Sequence, residues 1–197
     1  EIASCLVGSG DVYKRQTIKR IPKEGHVWLD RFTIRNLELF RPNSVEGKCL
    51  IDVIDQTLSP MGGRLLKRWV ALPSCDKEVI ISRHNIVEFL ISDEKTNELI
   101  HNVISKLSDI ERLTSKLATK KINPREIFSL KRSVELIENL KSDISKTECM
   151  ELNHLIHSIE NCTDFISKVS NTLNSDPPVS IGKGNTISSS VLSLIHI

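Results

Sequence analysis

The sequence predicts an all-α, multi-helix bundle preceded by a short N-terminal strand or turn segment, and three observations carry that prediction. Apolar residues recur at three- and four-residue steps from Cys49 to Leu173, and most of these runs open on a side chain able to cap a helix. Two-residue alternation is almost absent. Aromatic residues make up only 4%, so a core must be filled by Leu, Ile and Val.

Taken in order, His26 to Phe40 alternates imperfectly and fits either a short strand or a helical turn from Asp30 to Asn36. Arg41-Pro42-Asn43-Ser44 breaks either element, and Cys49, Leu50, Val53 and Ile54 then mark a short amphipathic helix ending near Gln56. The helix that organises the chain follows, from Thr57 to Pro73. Ser59 can accept a bond from an orphan backbone N–H, Pro60 suits the first helical position, and Pro73 closes the element. Met61, Leu65, Trp69 and Leu72 share one face, expected to pack, while Arg64, Lys67 and Arg68 share another, expected to stay wet. Gly62 and Gly63 each cost roughly 1 kcal/mol against alanine inside a helix, so close backbone approach is their expected reason.

Asp76 and Asp93 are expected to cap the next two helices, and Ser108 with Glu111 has capping-box spacing ahead of Leu113 and Leu117. Asn123-Pro124 with Glu126 opens a longer helix through Leu140. A last single helix spans Thr147 to Leu173, and Asp176-Pro177-Pro178 stops it. Six or seven helices with short joints argue for a bundle, and no internal repeat is visible.

Several residues in these elements resemble one family. Thr57, Met61-Gly62, Arg64, Leu66, Trp69 and Pro73 resemble the start of the core domain of the MutS family of DNA mismatch-repair proteins. Leu29-Asp30, Arg35-Asn36-Leu37-Glu38 and Leu50 before them, and Asp109-Ile110-Glu111-Arg112-Leu113, Pro124-Arg125-Glu126 and Pro177-Pro178 after them, keep that family's order. The resemblance covers about Ile21 to Ser189. It implies a helical core that couples an ATP-binding domain to mismatched double-stranded DNA, in a protein acting as a homodimer with downstream mismatch-repair factors. ATP and magnesium are implied for the full-length family and no cofactor for this stretch. The implied structural and coupling positions are Leu50, Thr57, Gly62, Arg64, Leu66, Trp69 and Pro73. Trp69→Ala is expected to cost about 3–5 kcal/mol if the ring is buried in a core.

Domain organisation follows from the same reading. Cys5 to Gln16 and Val191 to Ile197 read as translated sequencing adapter, which sets residues 1–16 and 191–197 outside fold reasoning. Residues 17–46 lead into the core, 47–176 form the helical core, and 177–190 link toward lever and clamp helices. The chain is then expected to be the middle of a longer protein.

Composition excludes more than it assigns. A net charge of +2 shows no broad footprint of a nucleic-acid binder. Five cysteines without a CxxC pair suit reduced thiols in a cytoplasmic protein. No run of about 18 apolar residues is present, so no membrane partner is expected.

Catalytic signals are weak. No Gly-x-x-x-x-Gly-Lys-Ser/Thr run supplies a phosphate cradle, and no phenylalanine is followed two residues later by glutamate, the wedge the family implies elsewhere. This stretch is therefore expected to hydrolyse nothing by itself. Cys149, His154, His157 and Cys162 are zinc-ligand types, but at about 100° per residue on one helix they fan out rather than converge. Asp52 and Asp55 read as an exposed polar face, and no Ser/His/Asp or Cys/His set supports catalysis. Arg112, Lys116 and Lys120, continued by Lys121 and Arg125, recur at four-residue steps as a candidate phosphate-contacting stripe. A stand-alone helical interaction scaffold, and a free-standing nucleic-acid binder using that stripe, are the alternatives.

Overall fold

The computed structural model describes residues 25–145, 147–179 and 186–188. Among them nine helices run α1 (Arg31–Asn36), α2 (Leu50–Ile54), α3 (Pro60–Ala71), α4 (Lys77–Ser92), α5 (Glu94–Ile104), α6 (Ile110–Ala118), α7 (Pro124–Ile144), α8 (Met150–His157) and α9 (Thr163–Thr172). No strand forms among the described residues; two isolated antiparallel bridges, His26 with Ser74 and Leu173 with Ile187, are the extended pairing present there.

Side-chain caps decide where most of these helices begin. Asp30 accepts the Thr33 N–H, which settles the choice around Asp30 to Asn36 in favour of a helix. Ser59 accepts the Gly62 N–H, Asp76 those of Glu78 and Val79, and Asp93 that of Thr96, each where expected. Asn123 and Glu126 complete a reciprocal capping box at α7.

Helix α6 corrects the expectation at its start. Asp109, not Ser108, is its cap, accepting the Arg112 N–H. Ser108 is turned inward instead: its N–H donates to Ser133 Oγ at 3.1 Å, and the two hydroxyls lie 2.5 Å apart. Ser133 is 2% exposed and also donates to the Ser129 carbonyl, so a polar knot fastens α6's approach to the middle of α7.

The single helix expected from Thr147 to Leu173 is two helices. Its break at Ser158–Cys162 is held from α7: Lys141 Nζ donates to the Ile159 carbonyl at 2.9 Å, and Glu138 accepts the Cys162 N–H at 3.0 Å. Carbonyls and amides that a continuous helix would pair internally are satisfied by these two side chains.

The bundle is assembled on α7, which packs with α5, α6, α8 and α9, while α4 packs with α5 and α8. Its innermost cluster is Ile144, Cys149, Leu152 and Ile156, flanked by Ile86, Phe89, Leu90, Leu99, Ile100 and Leu140. Helix α6 also packs on α7, and each contributes a buried leucine, Leu113 and Leu130. The earlier residues make a smaller centre of Leu39, Cys49 and Ile51, tied by backbone bonds from Leu50 to Glu38 and from Ile51 to Leu39. The proposed tails 1–16 and 191–197 lie outside the described residues, as does most of the 177–190 linker.

Candidate functional site

The organising helix α3 begins on a compact turn. Asp55 Oδ1 accepts both the N–H and the hydroxyl of Thr57, at 3.2 and 2.7 Å, and these bonds hold the Asp55 carboxyl below its usual range. Thr57 is thereby pressed against the first turn of α3. A Cβ on Gly62 would lie 3.2 Å from Ser59 Oγ and 3.4 Å from Thr57 Cβ, and one on Gly63 would lie 3.2 Å from Thr57 Oγ1. The close approach expected at these glycines is real, but the neighbours are side chains of the preceding turn rather than another backbone.

One turn further on, Arg64 reaches across to the start of α6. Its Nη1 and Nη2 donate to the two oxygens of Asp109 at 3.0 and 2.7 Å. Its Nε and Nη2 donate to Glu111 Oε2 at 2.8 and 2.6 Å. A planar guanidinium can hold two carboxylates this way, whereas an ammonium cannot match the fork. Arg64 was expected on a wet face; it is half exposed, and it spends four donor contacts on this junction. The same bonds hold the Asp109 carboxyl below its ordinary range, first through Arg64 and then through the Arg112 N–H that Asp109 caps.

From α6 the ionic path continues. Lys116 Nζ meets Glu126 Oε1 at 2.5 Å, and Glu126 also accepts the Asn123 N–H, so its carboxyl is likewise held low, chiefly by Lys116. Side chains therefore link α3, α6 and α7 in series. Lys116 is consumed in that link, and Lys120 lies beyond the end of α6 in the left-handed region, with φ of 55°. The expected stripe of Arg112, Lys116 and Lys120 is thus not one continuous helical row. Arg112 stays exposed.

At the other end of α3, Arg83 of α4 stacks over the Trp69 ring at 3.8 Å. Trp69 is 41% exposed, and α3 contains no buried residue, so its apolar face is not enclosed by the described residues as expected. Leu66 is half buried. Leu50 is 42% exposed and contributes through its backbone, the side-chain packing at that point belonging to Cys49 and Ile51. The Pro73 carbonyl accepts the Val27 N–H at 2.8 Å, so the helix-closing proline also fastens the preceding strand-like segment.

The remaining candidates resolve separately. Asp52 accepts the Cys49 N–H and Asp55 serves Thr57, so this pair makes turn contacts. Cys149 and Cys162 precede different helices, α8 and α9, and no group of three or more His, Cys, Asp or Glu side chains is disposed to hold a metal among the described residues. Nor is any described helix long and apolar enough to cross a membrane. The partners of Arg64 escaped sequence reasoning because they stand 45 and 47 residues away, beyond any local spacing rule.

Residues 32–191 match the family model of MutS domain III. The DNA mismatch repair protein MutS of Flavobacterium psychrophilum is 39% identical over 203 residues, covering 97% of this chain and 23% of that protein. Those of Flavobacterium johnsoniae and Bacteroides fragilis are 45% and 36% identical, each covering 88–89% of this chain and 20% of the relative. The chain thus spans about a fifth of the length of these relatives. On the match across most of its residues, the chain belongs to the MutS domain III family.

Proposed function

We propose that this chain is the coupling core of a cytoplasmic, homodimeric DNA mismatch-repair protein, a mechanical link between regions that bind mismatched DNA and regions that bind nucleotide. The observation that supports this reading most directly is the Arg64 fork on Asp109 and Glu111. It joins a short helical lead-in, α1 to α3, to a bundle packed around α7, and two bodies joined by a polar hinge suit transmission of movement better than one continuous core would. The phosphate-cradling glycine pattern is absent from the sequence, and in this reading nucleotide chemistry is carried by other parts of a full-length protein.

The test grafts residues 25–179 into the matching segment of the Flavobacterium johnsoniae relative. The chimera is expected to bind a mismatched duplex and release it on addition of ATP. With Arg64→Gln in the graft, duplex binding and nucleotide hydrolysis should persist separately while the nucleotide-driven release slows. Release at the parental rate in that variant would refute a coupling role for the junction.

A further inference from the structure

Helices α3 and α4 and the segment at His26 enclose a cleft of about 320 Å³ whose chemistry the coupling reading does not use. Arg83 stands in it half buried, one face of its guanidinium covered by the Trp69 ring. Stacking uses the face and leaves the N–H edge, and among the described residues no carboxylate pairs with Arg83 or with Arg68 on the same wall. His26 lines the cleft too, and its Nδ1 is buried without a hydrogen-bond partner. Leu65, Leu72 and Val79 supply apolar wall beside the arginines.

Two unpaired guanidinium groups next to apolar wall form a composite receptor, an anion acceptor adjoining a greasy step. A DNA backbone is a poor match for it. Phosphates are met by cations repeated along a track, whereas these two arginines line a single cleft together with apolar side chains. We propose that this cleft receives an acidic peptide segment of a partner protein, whose carboxylate is taken by Arg83 and Arg68 while a neighbouring apolar side chain rests on Leu65 and Val79.

The test uses the full chain with Trp28→Phe, leaving Trp69 as the single indole. Its fluorescence is titrated with the capped peptide Glu-Leu-Glu-Phe, its Gln-Leu-Gln-Phe counterpart, inorganic phosphate and a short DNA duplex. A saturable change with the acidic peptide alone is expected, weakening with salt. Arg83→Gln and, separately, the exposed Arg68→Gln should each weaken binding about tenfold, the loss expected when a charged hydrogen bond is removed, with unchanged far-ultraviolet dichroism. Should Arg83→Gln lower the helical signal, Arg68→Gln alone decides the matter. An equal response to the glutamine peptide, tighter binding of phosphate or duplex, or full binding by Arg68→Gln overturns the proposal.

Discussion

Arg64 and Asp109 lie 45 residues apart and meet in a parallel, two-bond contact, with Nη1 to Oδ2 at 3.0 Å and Nη2 to Oδ1 at 2.7 Å. The carboxylate serves twice, because Oδ1 also caps α6 through the Arg112 N–H. Displacing Arg64 therefore disturbs both an inter-helix tie and a helix start. Lysine at position 64 keeps the charge and loses the fork, so Arg64→Lys should lower the melting temperature, whereas Arg68→Lys on the exposed side of α3 should leave it unchanged. Equal melting temperatures for both variants would contradict the tie.

Acid should release the same junction. Asp109 and Glu126 both have folded-state pKa values below those of the free side chains, Asp109 chiefly through Arg64 and Glu126 chiefly through Lys116. The unfolded chain then binds more protons in acid, so the stability these groups supply is complete above about pH 5 and drains as pH falls through the folded-state values. Melting curves taken between about pH 6 and pH 3 should show this decline, and Arg64→Gln should make it shallower. Identical slopes in the two proteins would exclude Asp109 as a contributor.

Ser133 offers a neutral counterpart. Its hydroxyl receives the Ser108 N–H while 2% exposed, so Ser133→Ala leaves that amide without its acceptor. The expected cost is about 1–3 kcal/mol in chemical denaturation. Ser108→Ala keeps the amide paired and should cost less; the reverse order would disprove the assignment.

The glycines at the start of α3 can be tested through Thr57. Gly63→Ala gains helix propensity of up to about 1 kcal/mol but sets a methyl 3.2 Å from Thr57 Oγ1. In the parent the two effects should nearly cancel. In a Thr57→Ala background the gain should emerge, giving a coupling between the two sites; strictly additive denaturation energies would show that Thr57 is not the obstacle.

Local chemistry made much of this fold legible. Ser59-Pro60, Asp76, Asp93 and Asn123-Pro124-Glu126 announce their helices because each cap lies within three residues of the amide it serves. The failures are contacts made at a distance. Ser108 has the spacing of a cap, yet its better partner is Ser133, 25 residues on. The break after His157 is invisible in the apolar period because Lys141 and Glu138 of α7 supply the bonds that make it affordable. Arg64 and Trp69 carry the family resemblance without disclosing their partners, Asp109, Glu111 and Arg83. At Leu50 the N–H donates to the Glu38 carbonyl, a cross-link that no local spacing rule discloses.

The placement of α7 has a consequence for how the chain opens. Four helices lean on it, and α4 packs on two of those four, α5 and α8. Any one of those four can detach in a partial opening while the other three continue to shelter α7. Amide protons near Leu130 and Ile144 are therefore expected to exchange with solvent only when the bundle dissolves as a unit, whereas those of α1, which holds no buried residue, should report smaller, more frequent excursions.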